Sequence, residues 1–234
     1  MTKHLQREID KLKKMILALS AVVEEGVYRA VKAIGDRDAV LARKVLEGDR
    51  EVDQMEVEVE EECLKALALH QPVAIDLRFI IAVLKINNDL ERIGDLSNNI
   101  AWRAEALAKL KPVESPFDFH GMATKVKAML SKALEALVNL DPAAAQEVMA
   151  ADDEVDAINR DLYQKITGLI RARMDDTEQL IHYFSVSRNL ERIADHATNI
   201  AEDVLYMIEG EIFRHGHGQR QLAAREAERG SSQA

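Results

Sequence analysis

The chain has 234 residues, of which 47% are hydrophobic and 31% charged, and this balance excludes wholesale disorder. Aromatic residues make up only 4%, which excludes an all-β protein, and a net charge of −10 excludes the basic surface that nucleic-acid binding requires. The single cysteine, Cys63, excludes a disulfide framework and a cysteine-built metal site, so a reducing compartment is expected. No apolar run approaches the ~20 residues that span a bilayer, and no membrane insertion is expected.

Apolar residues recur at steps of three and four along most of the chain, which is the spacing of a buried stripe on an α-helix. This spacing predicts six long helices, at about 5–34, 37–69, 73–110, 118–140, 142–174 and 177–213. The predicted breaks in the first half are Gly35-Asp36 and Gln71-Pro72. In the second half, Asp141-Pro142 is predicted to begin a helix, and residues 175–177 are predicted to cap the last one.

The stretch 111–116 has two closely spaced prolines and no helical period, and it lies near the middle of the chain. We predict that it joins two halves of three helices each, a first bundle at 1–111 and a second at 112–213. Residues 214–234 contain few apolar side chains and are predicted to form a disordered tail. The predicted fold is therefore all-α, with long antiparallel helices in two three-helix bundles.

The two halves repeat in sequence. Residues 89–101 (DLERIGDLSNNIA) align with residues 189–201 (NLERIADHATNIA) at an offset of 100, and eight of the thirteen positions are identical. On the preceding helix of each half, Glu51-Val52-Asp53 recurs as Glu154-Val155-Asp156. A repeat at this spacing indicates that each half is one structural unit.

Both copies of the repeat place a glutamate and an aspartate four residues apart, so that the two carboxylates share one helix face. Asn99 and Asn199 continue the same line. A second carboxylate pair with the same step lies on the preceding helix of each half. The candidate metal ligands are Asp49, Asp53, Glu91 and Asp95 in the first half, and Asp152, Asp156, Glu191 and Asp195 in the second.

The two carboxylate pairs of each half are level with each other if their helices are antiparallel. Counted from the turn at Gln71, Asp53 and Glu91 are equally distant to within one helical turn. Asp156 and Asp195 are similarly level about the later turn, although the sequence does not fix the rotation of either helix. Leu90 lies on the apolar stripe of its helix, so the carboxylates are predicted on the outer face.

Four carboxylates held close together repel one another, and they stay ionised at neutral pH only if a cation offsets the repulsion. The candidate ligands are all oxygen donors, which predicts a hard ion such as magnesium, calcium, manganese or iron. A buried di-metal oxidase would also require a Glu-x-x-His motif, and the sequence has none.

Other polar features receive simpler interpretations. Arg92 and Arg192 follow the glutamates and are interpreted as partners in surface ion pairs. The acidic run at 56–62 is interpreted as a solubility feature, and Trp102 as a packing residue. No nucleophile with its base and no Gly-rich phosphate loop is recognisable, so an enzyme is not predicted.

The doubled motif Leu-Glu-Arg-Ile-(Gly/Ala)-Asp, followed by Asn-Ile-Ala, spans 90–101 and 190–201 and resembles the PhoU family of bacterial and archaeal phosphate-signalling proteins. The resemblance covers about residues 5–213 and includes the six-helix order and Asp-Leu-Arg at 76–78. It implies a pseudo-twofold relation between the two bundles, a cytoplasmic location, a homodimer, and metal binding by the eight carboxylates named above.

The resemblance also implies a function. The protein would be a negative regulator of phosphate uptake and of the phosphate-starvation response, bridging the ATPase of the phosphate ABC transporter and a sensor histidine kinase by protein contact. The second half has Asp-Thr-Glu at 176–178 where the first has Asp-Leu-Arg, so the halves need not bind partners alike. Two alternatives stay open: a metal-dependent hydrolase or oxidase that uses the carboxylate clusters, and a structural scaffold whose carboxylates bind nothing.

Overall fold

The computed structural model describes residues 3–210, and this part of the chain is helical with no strand. The long helices are α1 (Lys3–Asp36), α2 (Ala39–His70), α3 (Ala74–Lys109), α4 (Phe119–Asn139), α5 (Pro142–Ala172) and α6 (Thr177–Glu209). The predicted all-α class and the order of the six helices are confirmed. The predicted tail at 214–234 and the predicted end of the last helix, at 213, lie outside the described residues.

Aspartates begin three of the helices. Asp38 accepts hydrogen bonds from two backbone N–H groups in the first turn of α2, both at 2.9 Å. Asp141 caps α5 in the same way, with Pro142 in the first turn, as predicted. Asp118 accepts from the N–H of Gly121 at 2.9 Å and caps α4. Each cap stabilises its helix by ~1 kcal/mol, because it satisfies an N–H that the helix itself leaves without a partner.

The turn between α1 and α2 differs from the prediction. The sequence predicts that Gly35 ends α1, but the helix continues to Asp36, and the residue in the left-handed conformation is Arg37, with a φ of 53°. The guanidinium of Arg37 donates hydrogen bonds to the backbone carbonyls of Leu107 and Leu110 at the end of α3. This contact with a distant helix stabilises a turn that local sequence preference would give to glycine.

The start of α6 also differs from the prediction. Residues 175–177 were expected to cap this helix, but the side chain of Asp176 makes no capping hydrogen bond. A short 3₁₀ turn, Met174–Asp176, leads into α6 instead. Thr177 Oγ1 donates to the carbonyl of Met174 at 2.7 Å and closes that turn.

Each group of three consecutive helices packs into a bundle, and α3 and α6 make the main contact between the bundles. These two helices are antiparallel, because Arg78 near the start of α3 donates to the carbonyl of Met207 near the end of α6, at 2.9 Å. One continuous apolar core extends through both bundles. The division of the chain at 1–111 and 112–213 therefore stays a prediction.

An ion pair and a histidine–carboxylate hydrogen bond join α3 and α6. Lys85 Nζ lies 2.9 Å from Asp203 Oδ1, and the side chain of Asp203 is only 2% exposed. The same ammonium group lies 5.1 Å from the centre of the Tyr206 ring. His196 Nδ1 lies 2.8 Å from Asp89 Oδ1. The two bundles are thus joined by polar contacts as well as by the apolar core.

None of the helices within residues 3–210 combines the length and the apolar character needed to cross a lipid bilayer.

Candidate metal centres

The buried stripe of α3 sets the direction of its carboxylates. Leu90 and Ile93 are fully buried, whereas the side chains of Glu91 and Asp95 are 24% and 48% exposed. Because residues four apart share one helix face, both carboxylates lie on the outer side of the first bundle. The helix α6 repeats this arrangement of buried and outward residues 100 positions later.

The two carboxylate pairs of the first half lie close enough to interact electrostatically across α2 and α3. Burial raises the pKa of Asp53, and the charges of Asp49 and Asp95 raise it further. Burial also raises the pKa of Glu91, with added contributions from the charges of Asp95, Glu56 and Asp53. The four predicted residues of the first half therefore form one cluster, and Glu56 is a fifth member.

Hydrogen bonds satisfy only part of the first cluster. Asn98 Nδ2 donates a hydrogen bond to Asp49 Oδ1. Arg92 lies 3.4 Å from a carboxylate oxygen of both Glu91 and Asp95, which are the surface ion pairs that the sequence predicts. Glu91 Oε2 is buried, and its contact with the half-exposed Arg92 guanidinium is an ion pair at 3.4 Å without a hydrogen bond among the described residues. A buried carboxylate oxygen without a donor is destabilising unless another group supplies positive charge.

In the second half, α5 and α6 bring their carboxylates together in the same way. The pKa of Asp152 is raised to about 6, first by burial and then by the charges of Asp195 and Asp156. Burial and the charge of Asp195 raise the pKa of Glu191, and burial and the charge of Asp156 raise the pKa of Asp195. The four predicted residues of the second half therefore form a second cluster.

Two polar atoms at the second cluster, Asp152 Oδ1 and Thr198 Oγ1, are buried without a hydrogen-bond partner among residues 3–210. In the repeat they correspond to Asp49 and Asn98, which are hydrogen-bonded to each other in the first half. A hard cation with bound water would satisfy a carboxylate oxygen and a hydroxyl at this place. The donor set of the cluster thus fits a hard metal ion.

The side chains do not form a complete set of metal ligands in this conformation. Among residues 3–210, no three His, Cys, Asp or Glu side chains converge closely enough to hold an ion. The eight predicted residues are grouped by half and coupled electrostatically, and metal binding by them stays a prediction.

Sequence reasoning missed two members of the first cluster. It assigned Glu56 to solubility, although Glu56 follows Asp53 by three residues, a spacing that returns to the same helix face. It also singled out Asn99, whereas the neighbouring Asn98 makes the hydrogen bond to Asp49. The step from Asp95 to Asn98 is again three residues, and this spacing is the signal that could have identified it.

Trp102 lies beside the first cluster and is not a packing residue. It is 58% exposed. It lines a surface cavity of 290 Å³, whose other lining residues are Leu46, Asp49, Asp95, Asn98 and Asn99. Since Trp102 is the single tryptophan of the chain, its fluorescence reports on the first cluster alone.

In the presence of a chelator, we expect the free energy of unfolding to fall as the pH rises from the ordinary pKa of an aspartate toward the raised pKa of Asp152. The folded-state pKa of Asp152 is about 6, above the ordinary value of 3.8. Between these values the folded protein binds more protons than the unfolded chain, so stability is lost as the pH rises. Asp152→Asn should flatten this slope and stabilise the metal-free protein at neutral pH by about 1 kcal/mol, after allowance for solvent screening. Urea unfolding at several pH values measures both effects.

The matched control for that prediction is Asp161→Asn, which removes an exposed carboxylate from the same helix. It should leave the pH dependence of the free energy of unfolding unchanged. An equal change of slope in both variants would show that the effect comes from net charge and not from the cluster.

These features define a class of protein: an all-helical chain of two related three-helix bundles, each with a carboxylate cluster on its second and third helices. The model of the PhoU domain family matches residues 16–104 and 119–204, one match in each half. The chain therefore belongs to the PhoU family, and the resemblance of its repeated motif to that family is confirmed.

Relatives and solved structures agree over nearly the full chain. The phosphate-specific transport system accessory protein PhoU homolog of Aquifex aeolicus is 35% identical over 211 residues, which cover 90% of this chain and 96% of the relative. The homolog of Pseudomonas aeruginosa is 37% identical over 214 residues, covering 89% and 86%. The crystal structure of PhoU from Pseudomonas aeruginosa has a TM-score of 0.83 at 35% identity, covering 88% of this chain and 99% of its own. The phosphate transport system regulatory protein PhoU of Streptococcus pneumoniae has a TM-score of 0.80 at 28% identity, covering 89% and 98%.

Proposed function

We propose that this protein is a metal-binding negative regulator of phosphate uptake and of the phosphate-starvation response. Its relatives are named accessory proteins of the phosphate-specific transport system, and the Streptococcus pneumoniae neighbour is named a regulatory protein of that system. In this proposal it acts in the cytoplasm as a homodimer. It serves as an adaptor between the ATPase of the phosphate ABC transporter and a sensor histidine kinase.

The observation that carries the metal-binding part is the presence of two carboxylate clusters at equivalent places, each with a buried oxygen lacking a hydrogen bond. In the first half this atom is Glu91 Oε2, and in the second it is Asp152 Oδ1. The two atoms belong to different members of the clusters, since Asp152 corresponds to Asp49 in the repeat, but solvated helix faces would not place a buried carboxylate oxygen of this kind in each half. A cation would offset the repulsion that raises the pKa of these carboxyl groups.

The residues that would hold the ions come from two helices in each half. Asp49 and Asp53 lie on α2, opposite Glu91 and Asp95 on α3. The second half repeats this with α5 and α6. The ion would supply positive charge. Because its carboxylate ligands come from two helices, metal binding would hold α2 against α3 in the first half and α5 against α6 in the second. The outer surface that a partner protein contacts would then differ between the loaded and the metal-free protein.

The metal-binding part is tested on protein purified without chelator, by measuring bound metal with elemental analysis. We expect stoichiometric hard metal in the natural sequence and its loss when Asp95 and Asp195 are both changed to alanine, since each is one of four ligands. Changing both Glu58 and Asp161 to their amides is the matched control, because these exposed carboxylates lie on α2 and α5 outside the clusters. Metal content should be unchanged in this control.

The adaptor role is tested with the same proteins by capture of the purified transporter ATPase and of the histidine kinase. Capture by the loaded protein and reduced capture by the Asp95→Ala, Asp195→Ala variant would support a metal-dependent adaptor. Equal metal content in all variants would favour the scaffold alternative. Turnover of phosphoesters or peroxide that depends on the same two aspartates would favour the enzyme.

A further inference from the structure

The two clusters occupy equivalent positions but have different charges. Around the first, six carboxylates interact and one arginine, Arg92, opposes them. The six are Asp49, Asp53, Glu56, Glu60, Glu91 and Asp95. Around the second, five carboxylates interact, and three arginines lie among them. The five are Asp152, Asp153, Asp156, Glu191 and Asp195, and the arginines are Arg160, Arg188 and Arg192.

Among the positions that supply these charged groups, four differences between the halves change the charge in the same direction. They appear when α2 is aligned with α5 at an offset of 103 residues and α3 with α6 at an offset of 100. The pairs are Glu56 and Asn159, Val57 and Arg160, Glu60 and Tyr163, and Asn88 and Arg188. Among the same groups, the pair Arg50 and Asp153 differs in the opposite direction, but both of its side chains are exposed, and Asp153 is already counted above.

Hydrogen bonds reinforce this difference. Asn87 Nδ2 on α3 donates to the backbone carbonyl of Glu56 at 2.9 Å, which places Glu56 against α3 one helical turn before Glu91. In the first half, Asn98 holds Asp49 in place, which prepares that carboxylate as a ligand. In the second half, the residue that replaces Glu56 is already engaged, because Asn159 Oδ1 accepts a hydrogen bond from Ser187 at 2.8 Å. Arg160 Nη1 lies 3.3 Å from Asp156 Oδ2 and competes with a cation for that carboxylate.

We propose that the first cluster binds its cation before the second and more tightly, and that Glu56 is a ligand of the first cluster without an equivalent in the second. This inference rests on the proposed function, because it requires both clusters to bind metal. An excess of about three negative charges at roughly 10 Å from a trivalent ion corresponds to about a tenfold difference in affinity after screening. The two halves would then respond to different concentrations of the same ion.

Trp102 allows the order of binding to be measured on the full chain. Terbium(III) is a hard, oxygen-seeking ion that luminesces when a nearby tryptophan transfers energy to it. Excitation where tryptophan absorbs and tyrosine does not therefore reports ions at the first cluster, whose cavity Trp102 lines. Total bound terbium is measured in parallel by equilibrium dialysis. We expect the sensitised emission to saturate while about half of the final amount is bound.

Two variants and a control identify the residues responsible. Glu56→Gln should weaken binding at the first cluster by roughly fivefold or more, seen as a later rise in emission. Glu58→Gln removes the same charge from an exposed position two residues away, and it should leave the emission curve unchanged. Arg188→Asn gives the second half the residue that the first half has at the equivalent position. It should increase the affinity of the second cluster for terbium, measured by dialysis, and leave the emission curve unchanged.

The outcomes separate this inference from the function on which it rests. Emission that rises in proportion to total bound terbium, or only after half of it is bound, would overturn the order of binding while leaving metal binding intact. Equal effects of Glu56→Gln and Glu58→Gln would overturn the role of Glu56. Absence of bound terbium at both clusters would overturn this inference and the metal-binding part of the proposed function together.

Discussion

Changing Leu90 to alanine is expected to lower the free energy of unfolding by about 3 kcal/mol, a large effect for one substitution in this protein. Leu90 is fully buried in the middle of α3, and the truncation removes transfer free energy and leaves a cavity among close-packed neighbours. Urea unfolding followed by circular dichroism measures the loss. The corresponding control is Leu77→Ala on the same helix, where the side chain is 38% exposed and the expected loss is below about 1 kcal/mol.

The Leu90 substitution also separates two roles within the repeated motif. Leu90 packs in the core, while the adjacent Glu91 belongs to the metal cluster. If the motif is conserved between the halves for both reasons, Leu90→Ala should reduce stability and Glu91→Gln should reduce metal binding with little loss of stability in the absence of metal. A loss of stability below about 1 kcal/mol for Leu90→Ala would contradict the close packing of α3 against the core.

Changing Lys85 to methionine is expected to lower the free energy of unfolding by about 2 kcal/mol. Methionine keeps an apolar chain of similar length, but it removes the ammonium group 2.9 Å from the carboxylate of Asp203. Since the Asp203 side chain is 2% exposed, its carboxylate would lose the ammonium group of Lys85 in a poorly solvated place. Partial exposure of Lys85 keeps the expected loss below that of a fully buried pair.

The control for that change is Lys125→Met, which breaks a pair with Glu154 in which both side chains are exposed to solvent. Its expected effect is below about 1 kcal/mol. Similar losses for the two substitutions, measured by urea unfolding, would show that the contact between α3 and α6 does not depend on the buried charge.

Much of the fold could be predicted because helical spacing and helix caps are local in sequence. The apolar period gave the six helices, and Asp141 with Pro142 marked the start of α5. The turn at Arg37 could not be predicted, since the carbonyl groups that hold its guanidinium belong to the end of α3. Sequence spacing identifies the residues of one helix that share a face, but it does not identify groups far away in the chain that stabilise the conformation of a turn.

The candidate site shows the same limit. The step of four residues grouped Glu91 with Asp95, and the repeat directed attention to both halves. The sequence left the rotation of α2 open, so it could not show that Glu56 also lies close enough to Glu91 to raise its pKa. The hydrogen bond from Asn98 to Asp49 likewise depends on how α2 and α3 pack. The spacing of residues along α3 shows that Asn98 shares a face with Asp95, but it does not show which residue of α2 lies opposite.

The pairing of Lys85 with Asp203 makes the two bundles non-interchangeable. Under the pseudo-twofold relation the equivalent partners are Ser185 and Arg103, which form no matching pair of opposite charges. Two copies of the first bundle would bring Lys85 toward Arg103 and repel, and two copies of the second would leave Asp203 facing a serine. The two halves repeat in sequence, yet the charges at this contact match only when one copy of each half is present.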